Sequence, residues 1–336
     1  MPPGYLELRE YPSGLNTQRA IFKGVFGAGN CENLEPFFRY YHRQCKQVTS
    51  IAMTDCTDFQ LRKHADLLEI ITIIRNNTPH YEVVTKLMTK WNTGMTSPVI
   101  QNVLDLAMRL LTMIDVGAFS NAYTGRDHIT FTNGTLAEFL RMQGLFDARP
   151  VIPCDNVKLE SHFHACNIER IAGLTIQLTT NLCDHLLLRE DSGHKVVYVF
   201  HHAAFLQCHL RNSSVFPPEF IEETLQTFAI LFPKGIKKIE RWYRGKGNIE
   251  DLDFTVLRFC PSQRRVGEYQ YWRDRLVTLK EAFDDSQPRS LSQWWHDRRD
   301  VTQWYAVWVA VFFTVFFGLI QSVVGILQLY KAYRPT

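Results

Sequence analysis

Residues 304–330 read WYAVWVAVFFTVFFGLIQSVVGILQLY, a run of 27 positions without a charged residue. About 20 predominantly apolar residues already cross the hydrocarbon core of a bilayer. The alternative is a central helix of a large soluble core, but helices of soluble proteins rarely exceed about 25 residues without a polar face. The run therefore predicts one transmembrane helix, and we expect the anchor to cover residues 301–333.

Both ends of this run carry aromatic side chains of the kind that favour the headgroup region of a membrane. Trp304, Tyr305 and Trp308 stand at the first end, and Tyr330 stands at the other. The segment is thus predicted to contact membrane lipid, with these four residues at the interfaces.

One face of the predicted span carries small and polar side chains. Gly318, Ser322 and Gly325 follow one another at helical spacing, and Gln321 and Gln328 border them. Small residues let helices approach closely, and an amide in hydrocarbon is costly without a partner. We expect a homo-oligomer or a partner helix at this face. The alternative is a monomeric helix whose amides bond to water or to its own backbone.

The sidedness of the membrane follows from weaker signals. The first residues contain neither a basic leader with an apolar core nor an Arg- and Ser-rich presequence, and six residues follow Tyr330. We therefore expect a tail-anchored protein with its N-terminal bulk in the cytosol. The sequons at Asn76, Asn133 and Asn212 matter only if that bulk is lumenal. Eight cysteines without a C-x-x-C pair indicate reduced thiols.

Length and composition describe a globular protein with one span. A chain of 336 residues exceeds one typical hydrophobic core, so two soluble domains or one large composite domain should precede the span. The negative mean hydropathy excludes a polytopic membrane protein. A net charge of +3 is too small to indicate nucleic-acid binding by itself.

Composition divides the chain into five parts. We expect an irregular lead-in over 1–30, a mostly helical domain over 31–150, an α+β domain over 151–287 and a juxtamembrane linker over 288–300, before the anchor. The predicted fold class is mainly α with minor β (α+β), with a helical N-terminal region, a small winged-helix-like α+β region and the C-terminal transmembrane helix.

Local signals place several elements within these parts. Pro98 opens a helix after Ser97, and the stretch from Thr135 to Glu138 forms a capping box. Asn167 is predicted to cap a short helix. The remaining predicted elements are a β-hairpin over 185–200 and helices over 217–232 and 266–284.

Candidate chemistry is sparse. Cys154, His162, His164 and Cys166 lie within thirteen positions and offer the ligand types that zinc prefers. Their spacing matches no strong zinc motif, so ordinary strand and loop residues are the alternative, and no cofactor is expected. Neither G-x-S-x-G nor G-x-x-x-x-G-K-[ST] occurs, so we assign no catalytic residue.

A run of cations is the most suggestive surface feature. It consists of Lys234, Lys237, Lys238, Arg241, Arg244 and Lys246. Anionic headgroups and acidic partner proteins are two interpretations of this patch. The third is a solvated face after a helix C-terminus, where cations are favoured.

Several blocks carry a resemblance to a known family. SLSQWWHDRR at Ser290–Arg299 runs into the span, and NIERIAG at Asn167–Gly173, NLCDHL at Asn181–Leu186, Phe200-His201-His202 and GTLAEFL at Gly134–Leu140 precede it. Through these blocks, residues 130–333 resemble an uncharacterised family of filamentous-fungal (ascomycete) proteins with a C-terminal single transmembrane helix. The resemblance implies a fungal origin and a membrane anchor, and it carries over no active site.

The sequence therefore predicts a single-pass membrane-anchored protein with a cytosol-facing interaction or scaffold domain. One alternative is an accessory membrane-bound enzyme or helper protein of a fungal secondary-metabolite pathway, with its site among His162, His164, His201 and His202. Another is a CorA-like oligomeric ion transporter. Such channels have two spans joined by a Gly-Met-Asn loop, whereas this chain has one predicted span and no such motif.

Overall fold

A computed structural model of the chain describes residues 7–29, 32–55, 61, 63–91, 98–117, 129–144, 146, 152, 157–191, 193–212, 215–261, 263–286 and 301–333. Within these ranges, the side chains at 49–55, 191 and 301–304 are not described. The predicted linker over 288–300 and the candidate ligand Cys154 therefore lie outside the described residues.

Twelve α-helices and one three-stranded sheet occur in the described residues, which confirms the predicted class, mainly α with minor β. The helices are α1 Leu15–Phe26, α2 Glu35–Asp55, α3 His64–Arg75, α4 His80–Trp91, α5 Pro98–Thr112, α6 Leu136–Met142, α7 Ala165–Arg170, α8 Ala203–Asn212, α9 Pro218–Leu231, α10 Lys237–Arg244, α11 Arg273–Asp284 and α12 Val301–Tyr333. The strands are β1 Thr175–Thr179, β2 Leu187–Asp191 and β3 His194–Phe200. Short 3-10 helices cover Leu182–Asp184, Phe254–Arg258 and Val266–Glu268.

Helix α5 lies at the centre of the N-terminal half, in contact with α1, α2, α3 and α4. It begins at Pro98, as the sequence predicts, and every residue from Val103 to Thr112 is buried. A helix that is buried on all sides over ten residues belongs to the core, and α5 includes the buried polar residues Asp105, Arg109 and Thr112 as well as apolar ones.

Helix α1 corrects the expectation of an irregular lead-in over 1–30. Val25 and Phe26 are fully buried, so the helix is stabilised by packing in spite of its glycines. Gly24 is part of that packing, because a Cβ there would lie 2.7 Å from Cδ2 of Leu68 on α3. The glycine lets α1 and α3 approach closely.

The sheet has the order β1-β3-β2. Strands β2 and β3 form an antiparallel hairpin, with Leu187 paired to Tyr198, inside the range expected for a hairpin. Gly193 at its turn has a φ of +78°, which costs glycine little. Strand β1 runs parallel to β3, with Thr175 beside Val196. Helix α7, β1 and the hairpin thus follow the order expected of a winged-helix-like region, with β1 added as a parallel strand.

The later helices differ in detail from the sequence pattern. Helix α9 lies within the predicted 217–232. The predicted helix over 266–284 is divided into the 3-10 helix Val266–Glu268 and α11, which begins at Arg273. Helix α7 begins three residues earlier than expected, because His164 rather than Asn167 is its N-cap.

One continuous cluster of buried apolar side chains extends from Leu8 to Phe283. The ring of Phe205 on α8 lies 5.5 Å from that of Phe26 and 5.4 Å from that of Phe37, measured between centroids. Residues on either side of the expected boundary near 150 therefore share a core. We call residues 7–286 the body, and it corresponds to the single composite domain that the chain length allows.

Candidate functional site

Helix α12 is long and apolar enough to span a membrane. The stretch Tyr305–Tyr333 contains an 18-residue segment with a mean hydropathy of 2.3, and this most apolar part is not buried in the protein. Its 29 residues correspond to about 44 Å of helix, more than the roughly 30 Å of a hydrocarbon core. Among the described residues it is the one helix with these properties.

The predicted interfacial aromatics lie at the ends of this helix. Tyr305 and Tyr330 are each 60% exposed, and Trp308 is half-buried. Trp304 belongs to α12, but its side chain is outside the described set. These positions fit the headgroup levels that Trp and Tyr favour.

The small-residue face of α12 is open. A Cβ added at Gly318 or Gly325 would meet no atom within 4 Å. The hydroxyl of Ser322 donates to the carbonyl of Gly318 at 2.9 Å, so it bonds to its own helix. Gln321 and Gln328 are exposed beside this face.

The structure divides the predicted basic patch into two groups. Lys246 pairs with Glu169 and lies 4.7 Å from the ring centroid of Trp242, so it holds the body together. Arg244 pairs with Glu240 at 2.8 Å. The other four cations are exposed and form no ion pair within the described part of the chain; they are Lys234, Lys237, Lys238 and Arg241. We call these four the basic surface.

Helix α10 presents the basic surface because its opposite face is fixed in the core. Ile239 and Tyr243 are fully buried. The hydroxyl of Tyr243 donates to the carbonyl of Asp253 at 3.1 Å, and the indole N–H of Trp242 donates to Glu169 at 2.6 Å. A short helix held in this way keeps its cations in a defined arrangement.

The candidate zinc ligands have other roles in the described structure. His164 caps α7, its Nδ1 accepting the N–H of Asn167 at 3.4 Å, and burial lowers its pKa to about 4. The ring of His162 lies 5.9 Å from that of Phe283, and Cys166 is a buried free thiol. No three His, Cys, Asp or Glu side chains of the described ranges are grouped to hold a metal ion. With Cys154 outside those ranges, the set of four stays a prediction.

The second histidine pair is buried elsewhere, before α8. The rings of His201 and His202 lie 4.3 Å apart. Burial lowers the pKa of His201 to about 4 and that of His202 well below its usual value. Among the described contacts, no hydrogen bond or ring contact joins this pair to His162 or His164. The described contacts therefore do not bring the four histidines of the enzyme alternative into one site, and they do not form a metal-binding group within the described residues.

A buried polar group escaped the sequence analysis. The amide of Asn181 donates to Asp184 at 2.8 Å and accepts the backbone N–H of Asp115 at 3.3 Å. Burial and the charge of Asp184 raise the pKa of Asp115 to about 6, against the opposing effect of Arg109. The sequence does contain a signal for this group, because the charged residues Asp105, Arg109 and Asp115 interrupt a stretch that is otherwise mostly apolar. A carboxyl of this kind can exchange a proton near neutral pH.

The cysteines correct one expectation. Cys45, Cys166 and Cys183 are buried free thiols, and Cys260 is an exposed one. Cys208 on α8 is disulfide-bonded. The prediction of reduced thiols is therefore wrong for Cys208.

No protein-family model, curated protein sequence or solved structure matches this chain. The resemblance to a filamentous-fungal family accordingly stays a prediction. The function is argued from the residues alone.

Proposed function

We propose that this chain is a single-pass membrane-anchored protein whose body acts as an interaction or scaffold domain next to the membrane. The observation that carries the proposal is α12, an apolar helix of spanning length without protein cover. The described core of the body closes without it, since the buried cluster ends at Phe283. Such a helix is stable when another apolar medium surrounds it.

The side chains of α12 favour insertion. Residues 306–329 include fifteen Val, Leu, Ile and Phe residues. Each contributes about 0.3–0.6 kcal/mol near the centre of a span, which amounts to several kcal/mol in total. Gln321 and Gln328 oppose insertion, and their cost falls if another helix hydrogen-bonds to them.

Alkaline carbonate extraction of membranes tests the anchor. We expect the wild-type chain to stay in the membrane pellet. The double variant Phe316→Arg/Ile320→Arg should move to the supernatant, because each Arg near the centre costs about 2.5–3.5 kcal/mol. The matched control, Phe316→Leu/Ile320→Leu, should stay in the pellet. Release of the wild-type chain by carbonate would contradict the anchor.

The basic surface is the part of the body that we assign to partner contact, and we assign it to an acidic segment of a protein. Helix α10 is about 12 Å long, the span of a short peptide. Glu240 lies among the four cations and is held by Arg244. A fixed pattern of both signs favours a partner with a complementary pattern over a uniformly anionic lipid layer.

A labelled peptide of ten glutamates provides the probe, with a variant of the chain that ends at residue 300. We expect Lys237→Glu/Lys238→Glu/Arg241→Glu to weaken peptide binding by roughly tenfold or more. The matched control reverses three exposed cations elsewhere, Arg19, Lys86 and Arg141. Binding to phosphatidylcholine–phosphatidylserine vesicles in place of the peptide would overturn the assignment in favour of lipid.

Self-association through α12 is the second candidate. It is favoured by the open space at Gly318 and Gly325, where another helix can approach the backbone. The enzyme alternative has less support, because no described contact joins His201 and His202 to His162 or His164. The transporter alternative would require several copies of α12 to assemble into a pore, because the described residues contain one helix of spanning length.

A further inference from the structure

Two features of the body bear on which side of the membrane it occupies. Cys208 is fully buried and disulfide-bonded. Disulfides persist in oxidising compartments and are rare in the cytosol. Independently, the asparagines of two sequons, Asn76 and Asn133, are exposed on the body. Sequons are used on the same oxidising side of the membrane.

We infer that the body faces the secretory lumen or the cell exterior and that Asn133 is N-glycosylated there, with Asn76 as a second acceptor. The inference deepens the proposed function by naming the side of the membrane, and it rests on the proposed anchor. It replaces the cytosolic side expected from the sequence.

Asn133 lies in a turn that suits a glycan. Gly134 has a φ of +71°, a conformation that favours glycine, and its carbonyl accepts the N–H of His80 at 2.8 Å. Thr135 is fixed as the N-cap of α6, since its N–H donates to Glu138 at 2.8 Å. The side chain of Asn133 is exposed and has no hydrogen bond to the described residues. A glycan there projects from a rigid turn and displaces no packed group.

Asn76 occupies the same corner of the body. Its side chain is exposed at the C-cap of α3. Its backbone N–H donates to the carbonyl of Thr72 at 3.1 Å, which fixes the backbone at this position. The next residue, Asn77, accepts the N–H of Ala137 on α6 at 3.1 Å. Both acceptor side chains thus lie where the α3–α4 connection meets the start of α6.

Asn212 differs from the other two sequon residues. It is half-buried at the end of α8, and its Nδ2 donates to the carbonyl of Cys208 at 3.1 Å. A Cβ on Gly29 would lie 2.0 Å from the Oδ1 of Asn212, so the amide is closely packed. A glycan would break both contacts, and we expect this position to stay unmodified in the folded protein.

The modification transfers an oligosaccharide from a polyprenyl-diphosphate donor. The bond between Nδ2 of Asn133 and C1 of the first sugar forms, and the bond from C1 to the diphosphate oxygen breaks. The amide loses one proton, and the polyprenyl diphosphate leaves. No electrons are transferred, so no oxidant is required.

Gel mobility of the full chain from eukaryotic cells, before and after endoglycosidase treatment, tests the inference. We expect the wild-type chain to lose two discrete mobility steps on treatment. Asn133→Gln and Asn76→Gln should each remove one step, whereas Asn212→Gln should remove none. Thr135→Ser is the matched control, because it keeps both the sequon and the hydroxyl that caps α6.

A second readout counts free thiols with a maleimide polymer on the denatured, unreduced chain. We expect Cys208 to be protected in the wild-type chain. Wild-type chain without a glycosidase-sensitive step, or with a freely reactive Cys208, would overturn the oxidising side. A step that survives Asn133→Gln would overturn the assignment to Asn133. The carbonate experiment reads out the anchor separately, so the two failures are distinguishable.

Discussion

The body and α12 are both rich in apolar side chains, and they differ in what covers those side chains. Phe205 in the body is fully buried, whereas Phe312 and Ile326 of α12 are 64% and 68% exposed. Rings of the body meet rings from distant elements, but the described ring contacts of Phe312 are to Phe313 and Phe316 of its own helix. Apolar side chains thus stabilise the fold in the body, whereas those of α12 require lipid or another apolar surface to cover them.

Removing one ring from each region should have very different effects on stability. Phe205→Ala should lower the free energy of unfolding of the body by about 3–5 kcal/mol, because it leaves a cavity among Phe26, Phe37 and His209. Phe316→Ala should leave that value unchanged. Urea unfolding of both full-length variants in detergent checks this. Equal destabilisation would mean that α12 packs on the body.

A second test concerns charged residues. The body buries several of them, whereas α12 contains none between Val301 and Tyr330. The pKa of Asp115 is raised from 3.8 to about 6, so the interior favours the neutral acid. The stability that the neutral carboxyl contributes is fully present below pH 3.8 and is lost as the pH rises through 6. Asp115→Asn should therefore stabilise the body at pH 7 by roughly 1–3 kcal/mol.

The gain from Asp115→Asn should shrink as the pH falls toward 5, since the wild-type carboxyl then takes up its proton. Urea midpoints at several pH values measure this difference between the variant and the wild type. Asp285→Asn, at an exposed carboxylate, is the matched control and should change neither value. A constant gain at every pH would show that the amide acts through packing.

Buried histidines give the opposite pH dependence. His209 lies 4.8 Å from the ring of Phe26, and burial lowers its pKa from 6.5 to about 3. The stability from the neutral ring is present above pH 6.5 and lost as the pH falls toward 3. Between pH 6.5 and 5, the wild type should lose about 2 kcal/mol more than His209→Phe.

Unfolding at pH 7 and 5 checks the histidine prediction, with His194→Gln at an exposed histidine as the control. Membrane association through α12, which contains no histidine, should not vary between pH 7 and 5 when it is measured by sedimentation of the membranes. An identical pH profile for His209→Phe and the wild type would exclude His209 as a source of acid sensitivity.

Local signals in the sequence proved predictive because their physics is local. The capping box of Thr135 and Glu138 is present in full, and α5 begins at Pro98. The helix of spanning length needed only composition and length. In contrast, α1 escaped prediction because its glycines lower helix propensity and its stability comes from packing on α3.

The candidate site was only partly predictable, because residues distant in sequence form ion pairs with some of its cations and leave the others free to contact a partner. Lys246 belongs to the same cationic run as Lys238, yet Glu169, 77 residues away, pairs with it. The parallel pairing of β1 with β3 is likewise non-local. No periodicity in the chain encodes these contacts.

The smallest expected effect concerns the open face of α12. A change there shows whether lipid alone covers this helix or whether another helix covers part of it. Gly318→Leu/Gly325→Leu should weaken self-association by about 1 kcal/mol, or roughly fivefold in the dimerisation constant, because the side chains separate the backbones. Cross-linking or energy transfer in vesicles over a range of protein-to-lipid ratios measures this constant. The control, Ile320→Leu/Val323→Leu, alters the opposite face and should leave it unchanged. Wild-type chains that stay monomeric at every ratio would instead show that lipid covers the whole helix.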